Sequence, residues 1–299
     1  MKALKIERID TFGGHRGAIY ALSTGHEPHV IYSAGSDGWV VQWNLQKPDL
    51  GQVIAQITGS VYAMAFDENT GILWVGQNFE GIHGIRVSDQ TRIFSIQLPS
   101  LSIYAMVIIQ GQVWVGHQDG LITVIDQASQ SIKKRIKAGE SNIRSFCKLP
   151  EDALAVGASD GFIRVFDLAF TLQTAWKAHQ TTVFSLIYQV ETNTILSAGR
   201  DAYLKKWNLR GDLIGDGVPA HIYSINSVVQ SPCGRYLASG SMDKTIKIWD
   251  SKTIQLLKVI DFARYGGHKN SINRLVWTSY DDLLVSASDD KNISVWKID

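Results

Sequence analysis

Serine, histidine and aspartate recur together along this chain, each time ahead of a tryptophan and at one fixed spacing. The sets are His15, Ser33, Asp37, Trp43; His179, Ser197, Asp201, Trp207; His221, Ser239, Asp243, Trp249; and His268, Ser286, Asp290, Trp296. A nucleophile, a base and an orienting carboxylate within hydrogen-bond reach are the parts of a hydrolase triad. A catalytic centre, however, needs one such set beside an oxyanion hole and a cleft. Four copies are what a repeating architecture needs, because indole N–H, hydroxyl, imidazole and carboxylate can then satisfy one another and none is buried unpaired. The tetrads are therefore read as structural, with no catalytic residue assigned.

Other reactive residues carry little chemistry. His26 and His29, in GHEPH, have no second ligand cluster beside them, and a metal site needs three or four ligands. Cys147 reads as a small core residue and Cys233, in SPCG, as a turn residue; their separation fits neither a disulfide framework nor a zinc spacing. No GxGxxG follows a strand and opens a helix. No metal and no cofactor are expected.

The elements that carry the tetrads repeat with them. The segments VIYSAGSDGWVVQWNL (30–45), LAVGASDGFIRVFDL (154–168), ILSAGRDAYLKKWNL (195–209), YLASGSMDKTIKIWDS (236–251) and LLVSASDDKNISVWKI (283–298) superimpose without gaps. ILWVGQNFEGIHGIRV (72–87) and VWVGHQDGLITVIDQ (113–127) are weaker copies. With Trp43, Ile85, Ile125, Phe166, Trp207, Trp249 and Trp296 as equivalents, the steps are 42, 40, 41, 41, 42 and 47 residues. That period belongs to four-stranded propeller blades. Short β-branched and aromatic runs between Gly, Asp, Asn and Ser give strands and tight turns, and no stretch shows sustained helical periodicity. The last copy ends after its third strand, while Ala3–Asp10 is a spare strand at the other end. Joining the two closes the ring and hides an open sheet edge. Residues 1–299 are then expected to form one domain.

The sequence resembles the WD40-repeat family, whose blades commonly carry a hydrogen-bonded His, Ser or Thr, Asp and Trp. The resemblance implies an all-β, seven-bladed β-propeller of four-stranded antiparallel blades, closed by the N-terminal strand. Blades two to four depart from it, with Thr58, Gln97 and Ala138 at the His positions and Ile85, Ile125 and Phe166 at the Trp positions. Apolar packing is expected to hold those blades, with Trp74 and Trp114 as large substitutes. A one-residue slip or bulge is expected in GIHGIRV.

In that family, partner contacts recur three and five residues after the loop His and just before the turn Asp. With the blades that lack the His aligned by their first strands, the residues at the five-after position are Tyr20, Tyr62, Tyr104, Arg144, Phe184, Asn226 and Asn273. Those at the three-after position are Ala18, Ser60, Ser102, Asn142, Thr182, Ser224 and Ser271, and small residues there would leave the larger ring accessible. Those before the turn acid are Ser36, Phe79, Gln118, Ser159, Arg200, Met242 and Asp289. Tyr, Phe, Arg and Met near the centre of one face have the composition of an interaction hot spot. The bland alternative is that the tyrosines only pack in the channel. Arg144 and Arg200 beside aromatics would suit an acidic or aromatic-containing peptide. The step from Trp249 to His268 is 19 residues against 14 from Trp207 to His221, so Arg264 and Tyr265 of DFARYGG are expected to protrude on the same face.

Charge narrows the function classes. With 29 Lys+Arg against 28 Asp+Glu, no global field draws nucleic acid or an anionic membrane. SIKKRIK (131–137) reads as a solvated outer strand whose lysines block edge pairing. No apolar run reaches a membrane span or a signal peptide, and a cytoplasmic location is expected, or a nuclear one in a eukaryote. The expected function is a non-catalytic scaffold that binds a protein or peptide partner on the aromatic-rich face. Two alternatives stay open: a permanent structural subunit of a larger assembly, and a small-ligand binder or enzyme using the central channel.

Overall fold

Strands form wherever short runs of Val, Ile and aromatic residues lie between turn residues. In the computed structural model, which describes residues 4–47 and 51–299, they make seven antiparallel sheets of four strands each. The innermost strands of blades one to seven are Ile19–Thr24, Met64–Asp67, Ile103–Ile109, Ile143–Leu149, Val183–Gln189, Ile225–Gln230 and Ile272–Trp277. In blades one to six the chain runs from the innermost strand outward. In blade seven the outermost strand is Ile6–Phe12, antiparallel to Ile293–Ile298, with Ile6 opposite Ile298 and Phe12 opposite Ile293. The closing strand thus runs past Asp10, and Ala3, where it was expected to start, lies outside the described residues. The described residues hold one helical turn, Phe262–Tyr265, and one 3-10 turn, Gln118–Gly120.

The core lies between blades. Each of its seven apolar clusters joins two neighbours; one packs Tyr32, Val40 and Ile57 of blade one against Leu73, Val75 and Ile85 of blade two. The second strand of a blade is covered on both faces, so Val30–Gly35, Gln112–His117 and Thr194–Gly199 are buried throughout. The ring closes in the same way: Phe12 stacks on Trp43 of blade one at 5.3 Å within a cluster that also holds Val285 and Ile293.

Register decides what points into the channel. In six blades the innermost strand carries an irregularity that skips one residue against its neighbour, and the skipped residues are Tyr20, Tyr104, Arg144, Phe184, Asn226 and Asn273. A bulge at this place re-aims a side chain out of the regular alternation. Blade two differs, since its innermost strand begins only at Met64. The slip expected in GIHGIRV is absent from the pairing of Ile72–Gln77 with Gly81–Arg86. A shift does occur at Gly84/Ile85 against the outer strand, as at the same place in blades three, four and six. The irregularity of blade two sits in its turn instead. Asn78, the first residue after the second strand, stands where Ser36 and Gln118 stand in blades one and three, which puts Phe79 one position later, in a left-handed backbone at φ 68°.

Candidate functional site

Each tetrad forms one hydrogen-bonded chain across its blade. Trp43 Nε1 donates to Ser33 Oγ at 2.7 Å, Ser33 Oγ lies 2.7 Å from His15 Nε2, and His15 Nδ1 lies 2.9 Å from Asp37. The roles follow from the ends. The indole can only donate and the carboxylate only accept, so His Nδ1–H donates to Asp and the Ser hydroxyl donates to His Nε2. The other three sets repeat these links at 2.7 to 3.1 Å. The carboxylates also accept the backbone N–H that follows each His, as Asp37 does from Arg16 at 2.8 Å. Burial alone would raise the Asp37, Asp201, Asp243 and Asp290 carboxyls, but hydrogen bonds and the charge of the paired His bring each below its usual range. All four serines are fully buried.

Blades two and three hold polar links that the repeat does not announce, which corrects the expectation that apolar packing alone replaces the tetrads. In blade two His83 bridges Gln77 Oε1 at 2.5 Å and Ser95 Oγ at 2.7 Å. In blade three His117 Nε2 lies 3.0 Å from Thr123 Oγ1, and Nδ1 has no partner among the described residues. Burial lowers the His117 pKa to about 4. Blade four pairs Asp160 with Arg164 at 2.6 Å. Trp74 and Trp114 are both buried, Trp74 against Phe94 at 4.7 Å.

The six skipped residues meet Tyr62 of blade two at the channel mouth. Tyr20, Tyr62, Tyr104, Arg144, Phe184, Asn226 and Asn273 line one pit of about 240 Å³, joined by Arg274. Five of them form a continuous chain from blade one to blade five. Tyr20 lies 4.8 Å from Tyr62, Tyr62 lies 5.7 Å from Tyr104, and the Arg144 guanidinium sits 4.3 Å over Tyr104 and 5.1 Å over Phe184. Burial lowers the Arg144 pKa, and burial first, then Tyr62 and Asp289, raises that of Tyr20. The two asparagines tie blades together: Asn226 Nδ2 donates to the Ile272 carbonyl at 2.8 Å and Asn273 Nδ2 to the Ile19 carbonyl at 2.9 Å. All seven ring side chains remain partly exposed.

The remaining candidates lie around this pit or away from it. Arg200 and Met242 are exposed on turns between second and third strands, each with its N–H donated to the loop entering its own blade, while Phe79 N–H reaches Leu101 in the loop entering blade three. Asp289 accepts from Asn273 Nδ2 at 2.7 Å. Arg200 does not line the pit, so the second guanidinium beside Arg144 is Arg274. Tyr265 does not protrude. It packs, half-buried, on the core between blades six and seven, beside a bond from Arg8 to the Gly266 carbonyl, and the exposed residues of that turn are Phe262, Ala263 and Arg264. Ile222 and Tyr223, which directly follow His221, were missed in the sequence; at 80% and 59% exposure they stand with Met242 as an apolar rim on blade six.

A closed ring of seven four-stranded blades, with tetrads in blades five, six, seven and one, defines a repeat β-propeller. The family described as "WD domain, G-beta repeat" matches residues 6–44, 216–250 and 261–297. The chain belongs to the WD40-repeat propellers. It is 30% identical to Protein HIRA of Dictyostelium discoideum over 42% of this chain and 13% of that protein. It is 24% identical to Protein tipD of the same organism over 95% of this chain and 48% of that one. The DDB1- and CUL4-associated factor 11 homolog of Caenorhabditis elegans is 29% identical over 42% of this chain and 24% of its own length. The chain therefore spans less than half the length of each of these relatives.

Proposed function

We propose that residues 1–299 act as one non-catalytic scaffold domain that binds a protein or peptide segment on the aromatic-rich face of the propeller. The observation that carries this reading is the chain Tyr20–Tyr62–Tyr104–Arg144–Phe184, which lines an open pit and is only partly buried. Large, stiff aromatics and an arginine around a depression are what a binding hot spot requires. Phe79, Arg200, Met242 and Asp289 extend the surface, and Tyr265 has a lesser part because it faces the core. The tetrads serve the fold rather than a reaction, since a serine that is fully buried and hydrogen-bonded to Trp and His offers no nucleophile to a substrate. Neither metal nor cofactor enters this reading. Among the described residues no helix is long and apolar enough to cross a membrane, and the working place proposed is the cytoplasm, or the nucleus in a eukaryote. One relative is named for its association with two other proteins, in keeping with such a role.

A permanent-subunit reading draws support from the apolar rim Ile222, Tyr223 and Met242, which a fixed neighbour would cover. Affinity purification with mass spectrometry separates the two. A folded Tyr20→Ala, Tyr62→Ala, Tyr104→Ala triple variant is expected to lose partners that the wild type retains. An unchanged partner list would refute the pit and favour the rim.

A further inference from the structure

Six blades place a small residue directly after the ring position: Ala21, Ala63, Ala105, Ser145, Ser185 and Ser227, all buried. Blade seven places Arg274 there, and its side chain reaches the channel. Arg274 and Arg144 together line both the outer pit of about 240 Å³ and a second hollow of about 250 Å³ deeper in the channel. No acidic residue lines either hollow, and no ion pair among the described residues involves either arginine. The contrast with Arg164 is direct, because Asp160 answers that guanidinium at 2.6 Å. The rim carboxylate Asp289 accepts from Asn273 and lines neither hollow.

Arg144, half-buried against Tyr104 and Phe184, bears a desolvation cost that no carboxylate among the described residues offsets, and Arg274, exposed to the channel, is likewise unanswered. An oxyanion would offset it, accepting charge-assisted hydrogen bonds from both arginines. The hollows are sized for the end of one side chain rather than for a folded element. Building on the peptide-binding reading above, we infer that the channel is a receptor for a single oxyanion, carboxylate or phosphate, presented on a side chain of the bound segment. The aromatic ring would hold the segment's backbone and flanking residues, while Arg274 and Arg144 take the anion.

The test is a peptide array built in matched sets, each sequence carrying Ser, phosphoserine, Glu or Gln at one position, probed with wild type, Arg274→Ser and Arg274→Lys. Serine stands at the equivalent place in blades four to six, so Arg274→Ser is expected to fold, and its melting temperature is measured alongside. The expected result is capture of the phosphoserine or Glu members over their Ser and Gln partners, weakened about tenfold or more in Arg274→Ser and partly retained in Arg274→Lys. Which anionic member is preferred identifies phosphate or carboxylate as the source. Capture that ignores charge and survives Arg274→Ser overturns the oxyanion receptor while leaving the peptide-binding face intact. No capture of any set by wild type overturns both. Should Arg274→Ser not fold, equal capture of charged and neutral members by wild type and Arg274→Lys is the overturning result.

Discussion

Trp207 shows what a tetrad tryptophan contributes. Its ring is 95% buried against Ala155, Ile195 and Trp176, and its Nε1 donates to Ser197 at 2.8 Å. Trp207→Ala leaves a cavity and takes the N–H from a buried hydroxyl, so urea unfolding is expected to show a loss of about 3–5 kcal/mol without selective loss of a partner. His117 makes stability depend on pH. Its pKa falls from 6.5 to about 4 because burial disfavours the imidazolium, so below pH 6.5 the unfolded chain binds this proton and the folded chain does not. Stability is then whole above pH 6.5, falls by about 3 kcal/mol between there and pH 4, and levels off for this group. His221 and His83, also lowered by burial, add to the same fall. The tetrad carboxylates act lower and with their own sign: each is held below its ordinary 3.8, so its contribution is present above that value and lost as pH falls through it. Melting temperature measured from pH 8 to pH 3 checks both steps, and a His117→Gln variant is expected to flatten the upper one. The tetrads were legible because one spacing recurs four times, whereas Gln77–His83–Ser95 occurs once and leaves no pattern to find.

The strand Ile6–Phe12 is the element on which closure depends. Phe12 is buried between blades seven and one while Ile9, on the same strand, is 44% exposed. Phe12→Ala is expected to cost about 3–5 kcal/mol in chemical denaturation and Ile9→Ala less than about 0.5, because only the first opens the seam. Equal effects would mean that the strand is merely laid on the outside. The period and the spare strand made closure readable from residue numbers. The bulges did not show, since a skipped residue changes the direction of a side chain without changing the spacing of Asp and Trp. Blade two was misplaced for a related reason. Its turn, NFE, has no Asp, and anchoring on Glu80 moved Phe79 into the place that Asn78 holds. Tyr265 was expected to protrude because a longer loop leaves its direction open. Its one helical turn, capped by Asp261 and ended by Gly266 in a left-handed conformation, folds the ring back onto the core.

At the scale of the whole molecule, seven equivalent blades make an unequal face. Aromatic rings and Arg144 occupy blades one to five, while in blades six and seven asparagines bind neighbouring backbones. Most of this asymmetry can be read from the phrases AIYAL, SVYAM, SIYAM, NIRSF, TVFSL, SINSV and SINRL; Arg274 stands in the last of them, one place beyond the ring position Asn273. The rim of Ile222 and Tyr223 could not be read in that way, because those positions carry no shared residue from blade to blade. Site-specific photo-crosslinking tests the central claim most directly. A photoreactive phenylalanine replaces Phe184 in the pit or, as a control, Leu172, exposed on the outer strand of blade four. Adducts with a partner are predicted from position 184 and not from position 172. Adducts from position 172 alone would contradict binding at the pit.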